Sequence, residues 1–301
     1  MSAKKTKNTE TLAWEVQGNI QGRIKLNRDS KIRIVNIMSG LSNKEHEIVI
    51  YKRQDACHYF DFLGIILNKE GEILESKERC KRRIECFGGS LSSGELCELT
   101  TSIAKNQLES YKGKSSNGYF SFPLVLGRYL GAEVNNNAQG GLALLNETGF
   151  FRRERNLGLE YTYDKLRYNP ELGECTKWNF NEFIPHVVII ELGFHDSYPF
   201  GNINEIKKNI WKEKYKGIIK SLREKYPKAL FVLITSIAKH EEIWDKALTE
   251  IIYELNDSKV VQYKFIRNGV LPYEHLKVSY AAEMAQELSE FLISFGDEIW
   301  K

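Results

Sequence analysis

The stretch Ile84-Glu85-Cys86-Phe87-Gly88-Gly89-Ser90-Leu91-Ser92-Ser93-Gly94 runs a short apolar segment into a glycine pair, a serine and a closing glycine. A buried strand that ends this way hands its last residue to a helix start, leaving a hydroxyl exposed beside backbone N–H groups that can hold an anion. Such a serine attacks an acyl carbon once a neighbouring base takes its proton. The same letters also suit a plain flexible turn, so the remaining strand ends must decide. Ser92 and Ser93 are the alternatives to Ser90. Gly88 and Gly94 frame Ser90 and leave Ser92 to hydrogen-bond the turn.

The elements that must position this serine change rhythm along the chain. From about residue 12 to 74, short alternating pieces such as Lys31–Val35 and Glu47–Tyr51 read as strands with one wet face. They predict an antiparallel sandwich of jelly-roll size over residues 10–78, after a Lys-rich disordered tail at 1–9. From about residue 79 to 301, solid apolar runs alternate with amphipathic helices. The strand candidates are Ile84–Phe87, Glu133–Asn136, His186–Leu192, Leu230–Ile237 and Val260–Ile266. One helix is expected to carry Ile206, Ile210, Tyr215, Ile218, Ile219 and Leu222 on its buried face, and a closing helix Ala281, Met284, Ala285, Leu288 and Leu292. Runs of this kind predict an α/β fold: a three-layer, doubly wound parallel sheet with its chemistry at the carboxyl ends of the strands.

Those ends carry Ser90, the segment Asn135-Asn136-Asn137-Ala138-Gln139-Gly140-Gly141, then Gly193-Phe194-His195-Asp196, and finally Pro272-Tyr273-Glu274-His275 before the last helix. A serine, a glycine pair that exposes backbone, a polar donor and a histidine are the parts acyl transfer requires. His275 suits the base because imidazole titrates near cellular pH. The other histidines (His46, His58, His186, His240) have weaker positional claims. Asp196 reads as a cap rather than a reacting group.

Composition narrows the field. The 301 residues carry a net charge of +3, with basic residues scattered or paired with acids, so no phosphate-tracking stripe and no nucleic-acid partner are expected. No apolar run has membrane-spanning length, and the N-terminus lacks the apolar core of a signal peptide. The five cysteines (Cys57, Cys80, Cys86, Cys97, Cys175) are odd in number and lack metal-ligand spacing, which reads as thiols in a reducing, cytoplasmic setting.

Taken in order, these blocks resemble the SGNH/GDSL hydrolases, and specifically carbohydrate esterase family 2, in which a β-sandwich precedes the hydrolase domain. The likeness rests on Gln21-Gly22-Arg23, Tyr51-Lys52-Arg53 and Phe62-Leu63-Gly64 in the first part. In the second it rests on the serine block, Ala138–Leu145, Pro185–Gly193, His240–Asp245 and His275 with its helix. The resemblance implies a serine esterase that removes acetyl, or another small acyl group, from a carbohydrate, with Ser90 as nucleophile and His275 as base. It implies an oxyanion hole from the N–H groups of Ser90 and Gly140 (Gly141 being the alternative) together with His195. No metal and no organic cofactor are implied. Three departures stand out: Gly89 replaces the aspartate of Gly-Asp-Ser, His195 replaces the asparagine of Gly-x-Asn-Asp, and Pro272 stands three residues before His275 where an aspartate is usual. Aromatic residues between 160 and 180, chiefly Tyr163 and Trp178, are candidates to stack on sugar rings or to pack between domains. Two other functions fit the same residues: a carbohydrate-binding or regulatory protein on a decayed esterase scaffold, and a sugar O-acyltransferase using the same Ser-His dyad.

Overall fold

The computed structural model describes residues 11–16, 19–25, 32–75, 78–100, 108–151, 156–198, 204–272 and 275–301. The 1–9 tail lies outside them. In the first part of the chain, β1 (Thr11–Val16), β2 (Asn19–Lys25) and β3 (Ile48–Lys52) form a three-stranded antiparallel sheet in the order β2-β1-β3. β3 answers to the alternating Glu47–Tyr51 segment. Lys31 lies outside the described residues, and the rest of the Lys31–Val35 segment has no strand partner: Ile32 and Ile34 are 80% and 81% exposed. Alternation was therefore read there as a strand that the described residues do not form.

The second part is built on five parallel strands: β4 (Arg82–Gly88), β5 (Ala132–Asn136), β8 (Val187–Glu191), β9 (Leu230–Ile234) and β10 (Val260–Gln262), in the order β10-β9-β8-β4-β5. A small hairpin, β6 (Lys165–Arg167) with β7 (Thr176–Lys177), lies between β5 and β8 in sequence. Successive side chains point to opposite faces of a sheet, so each central strand feeds two cores. Phe87, Val188, Ile190, Phe231 and Leu233 enter one core; Ile84, Cys86, Val187, Ile189, Val232 and Ile234 enter the other.

The first core is covered by helices α5 (Glu205–Lys225) and α6 (Glu242–Leu255), the second by α3 (Phe122–Leu130) and α7 (Val278–Ile293). The buried stripe of α5 is Trp211, Tyr215, Ile218, Ile219 and Leu222, while Ile206 and Ile210 are 72% and 49% exposed. The stripe thus starts on Trp211, one position off the series expected from sequence. On α7 all five expected positions are buried. Two strands end earlier than their apolar runs. After β9 the Thr235 hydroxyl turns to donate to Asp245 (2.8 Å), and after β10 the Tyr263 hydroxyl and Ile266 N–H are drawn to Glu287 of α7 (3.0 and 2.8 Å).

The two parts meet through Arg53. Its side chain is 1% exposed, forks onto Glu98 and donates to the Lys114 carbonyl at 3.1 Å. Its own carbonyl accepts the Gly118 N–H at 2.7 Å. The chain leaves β4 to one side for β5 and returns to the other side for β8, so strand order reverses at β4. Ligands bind doubly wound sheets at that switch point. No helix among the described residues is long and apolar enough to cross a membrane.

Candidate active site

Ser90 opens the one-turn helix α1 (Ser90–Ser93) directly after β4, at the switch point. Gly88 is needed beneath it, because a Cβ there would sit 2.3 Å from Ser92 Oγ. Gly94 ends the turn in the left-handed region at φ 72°, and a Cβ on it would meet the Asn117 carbonyl oxygen at 2.5 Å. The three serines of the turn separate cleanly. Ser92 Oγ donates to Glu191 Oε2 (2.9 Å) and Ser93 Oγ to the Ser90 carbonyl (3.0 Å). Ser90 lines a small cavity with Gly89, Leu142, Glu191, Gly193 and His195.

Glu191, the last residue of β8, braces this turn. Besides Ser92, it accepts the Gly89 N–H at 3.2 Å. Burial pushes its carboxyl up to about 7, against the pull of those hydrogen bonds and of His240 nearby. Sequence reasoning passed over Glu191 as part of an apolar block. Its signal was a lone carboxylate ending an otherwise apolar strand.

His195 is 9% exposed and stands against the serine turn. Its Nδ1 lies 2.9 Å from the Leu142 carbonyl oxygen, an acceptor, so Nδ1 carries the proton. A neutral ring has one N–H, and here it is committed to Leu142. Only the imidazolium can donate from Nε2 as well, which narrows the expectation that either tautomer serves an oxyanion. A Cβ built on Gly89 would contact His195 Cε1 and Nδ1, both at 3.4 Å. The two departures from the family pattern are therefore neighbours: the imidazole occupies space toward which a side chain at position 89 would grow. Asp196 accepts the N–H groups of Leu144 (3.0 Å) and Leu145 (2.9 Å) and the Thr148 hydroxyl (3.1 Å), which pins the loop bearing Leu142. Burial pushes its carboxyl up to about 6 despite these bonds.

His275 reaches the same sheet edge. Its Nε2 lies 4.0 Å from Glu95 Oε1, with the two side chains 27% and 9% exposed. Glu95 follows α1, and its N–H donates to the Ser90 carbonyl at 3.1 Å. The start of α7 is held to this region by the Val278 N–H, which donates to the Cys97 carbonyl at 3.1 Å. Glu95 thus joins His275 to the serine turn, a carboxylate in the absence of an aspartate at 272.

Gly140 lies against the same carboxylate, since a Cβ on it would fall 2.0 Å from Glu95 Oε2. A side chain there would have to displace that carboxylate. The Gly140 N–H, however, donates to Asp55 Oδ2 at 2.9 Å, so the expected oxyanion donor is engaged by a residue of the first part of the chain. Gly141 adopts φ 77°, and its carbonyl accepts the N–H groups of Phe150 and Phe151. Among the described residues, those that group as metal ligands are Asp55, Cys57 and His58, next to Gly140.

Tyr163 and Trp178 do not line the Ser90 cavity. Tyr163 packs on the first core, and Trp178 lies beside Tyr226, in the connection that enters β9 from its amino end. That is the sheet edge opposite Ser90. The aromatic pair near the cavity is Phe150 and Tyr198, stacked at 4.1 Å and 42% and 44% exposed. Phe150 also sets its ring edge-on to His195 at 5.5 Å. Of the remaining histidines, His186 Nδ1 accepts the Arg83 N–H (3.1 Å) and His240 pairs with Asp245, both structural arrangements.

The comparisons agree with this architecture. Residues 1–76 match the family model described as the carbohydrate esterase 2 N-terminal region. The cellulase/esterase CelE of Acetivibrio thermocellus is 27% identical over 243 residues, which is 77% of this chain and 27% of CelE. The chain therefore spans about a quarter of that relative. A solved family two carbohydrate esterase from Clostridium thermocellum, in complex with cellohexaose, is 23% identical with a TM-score of 0.76, covering 98% of this chain and 88% of that one. An acetyl xylan esterase from the rumen bacterium Butyrivibrio proteoclasticus is 14% identical with a TM-score of 0.70, covering 97% and 85%. By its matched N-terminal region, its curated relative and the fold it shares with these structures, the chain resembles carbohydrate esterase family 2, an SGNH hydrolase fold behind an N-terminal domain.

Proposed function

We propose that the chain is a carbohydrate esterase that releases acetyl, or another small acyl group, through Ser90 and His275. The observation that carries this reading is the division of labour in the serine turn. Ser92 and Ser93 are hydrogen-bonded into the turn, and Ser90 is presented to the cavity. In the reaction His275 takes the Ser90 proton as Oγ attacks the ester carbonyl, and it then protonates the departing sugar hydroxyl. Glu95, 4.0 Å away, favours the imidazolium formed in between. Water repeats the sequence on the acyl-enzyme. The oxyanion is held by the Ser90 N–H and by His195 in its charged form; Gly140 joins them by trading the Asp55 carboxylate for the oxyanion. The Phe150–Tyr198 pair offers an apolar face for a sugar ring next to the reacting carbonyl. Acetate release from acetylated xylo- and gluco-oligosaccharides tests the proposal. Turnover by the parent and none by a folded Ser90→Ala variant is the expected result; no turnover by the parent on any acetylated glycan would refute it.

A second reading, glycan binding without efficient turnover, draws on the engagement of the Gly140 and His195 N–H groups by Asp55 and Leu142. It expects glycan affinity that Ser90→Ala leaves unchanged and no covalent labelling by a fluorophosphonate.

A further inference from the structure

We propose that Asp55, Cys57 and His58 form a binding site for a single divalent transition ion of the zinc type. The three potential ligand atoms close on one another: Cys57 Sγ is 3.6 Å from Asp55 Oδ1 and 3.7 Å from His58 Nδ1, and Oδ1 and Nδ1 are 2.5 Å apart. Zinc bonds of about 2.0 Å to nitrogen and oxygen and about 2.3 Å to sulfur, at tetrahedral angles, set ligand-to-ligand separations of roughly 3.3–3.6 Å. The edges to sulfur, 3.6 and 3.7 Å, lie at and just above the top of that range. The Oδ1–Nδ1 edge is shorter because a proton bridges it. Metal binding takes the place of the bridging proton, which the neutral imidazole then carries on Nε2, and of the Cys57 thiol proton, which is released to solvent, and the edge opens by somewhat less than an ångström. One thiolate, one imidazole and one carboxylate make a mixed set that suits zinc and cobalt(II) and is poor for magnesium or calcium.

The second observation is that the carboxylate is held for ligation. Asp55 Oδ2 accepts from Gln139 Nε2 (2.6 Å) and from the Gly140 N–H (2.9 Å), which turns Oδ1 toward Cys57 and His58. Gln139 is itself fixed, because its Oε1 accepts the Cys57 N–H and the Tyr168 hydroxyl, both at 2.9 Å. Hydrogen-bonded outer partners of this kind orient metal ligands and are the usual companions of a built site. Cys57 is 3% exposed, whereas the side chains of Asp55 and His58 are 13% and 12% exposed, so an ion and a water as fourth ligand enter from their side. Three protein ligands with an open fourth position leave the ion exchangeable. A bound ion would fasten the segment after β3 to the Gln139–Gly140 loop, independently of whether Ser90 turns over esters.

Titration with cobalt(II) of the metal-free, tag-free full chain tests the site. We expect saturation at one equivalent with a sulfur-to-cobalt charge-transfer band and tetrahedral visible bands, all displaced by zinc. Cys57→Ser should abolish the charge-transfer band, His58→Ala should weaken binding at least 100-fold, and Cys80→Ser should change nothing. Gln139→Ala should weaken binding about 10- to 100-fold, as loss of an orienting partner does. X-ray absorption of the zinc-loaded parent needs no variant to fold: one sulfur with nitrogen or oxygen neighbours is expected. A shell without sulfur, no binding by the parent, or a band that survives Cys57→Ser would overturn the proposal.

Discussion

Two histidine–carboxylate pairs stand at the carboxyl edge of the same sheet, and they are built in opposite ways. His240 and Asp245 are 3% and 4% exposed and 3.1 Å apart. Asp245 also takes the Thr235 hydroxyl and the Asn268 amide, while His240 Nδ1 faces the Ala238 carbonyl at 2.7 Å. Burial alone would lower the His240 pKa, but its bonds to Asp245 and Ala238 raise it, and the ring is held between two acceptors. His275 and Glu95 are 4.0 Å apart, and the histidine is 27% exposed. A saturated pair holds two loops together and has no capacity left for a reacting proton. The longer, part-exposed pair lies beside the serine turn, where the proposed function assigns it the reacting proton.

The largest effect that could break this contrast is on turnover. Ser90→Ala and His275→Ala should each lower kcat by about 1000-fold or more with unchanged thermal unfolding, measured by acetate release and calorimetry. Next comes Asp245→Ala, which breaks the buried His240–Asp245 pair and strands the Thr235 and Asn268 donors, and should cost about 3–5 kcal/mol of stability in denaturant unfolding. Its folded fraction should keep turning over; an unfolding midpoint equal to the parent would mean the pair is no strut. His195→Ala should lose roughly 100-fold in kcat with a smaller change in KM, as removal of an oxyanion donor does. His195→Asn should retain substantial activity. Gly89→Asp should be tolerated better with His195→Asn than alone, because a Cβ at position 89 would lie 3.4 Å from the His195 ring.

The smallest effect concerns Glu191. Its carboxyl is raised from 4.5 to about 7 by burial, so the stability it contributes is complete below about pH 4.5 and declines as pH rises toward 7. Glu191→Gln lacks that decline. Its melting temperature should gain on the parent between pH 5 and pH 8, and a constant difference across that range would show that Glu191 titrates normally.

How much of this was legible beforehand depends on whether the signal is local. Val187–Glu191 and the α7 stripe are buried along their whole length, so periodicity alone defines them. The turn that opens at Ser90 was legible because glycines on both sides fix its register. The contact between Gly89 and His195 joins different loops, and no spacing rule reveals that two departures from a pattern fill one space. The capture of the Gly140 N–H by Asp55 was hidden for the same reason, and so was the gathering of Cys57 with Asp55 and His58. Where Trp178 and Tyr163 come to lie was not legible, because aromatic content carries no direction. Which edge of the sheet receives them is set by the path of the chain into β9. In the first part of the chain, alternation at Ile32 and Ile34 finds no strand partner among the described residues to make it a signal of burial.

On the proposed function, Ser90 alone of its turn is a nucleophile, and His275 serves it. Fluorophosphonate labelling followed by peptide mass spectrometry tests it most directly. One adduct on Ser90, absent in Ser90→Ala, slowed in His275→Ala and undiminished per folded molecule in a His240 variant, is the predicted result. An unlabelled parent, or an adduct on Ser92 or Ser93, would contradict it.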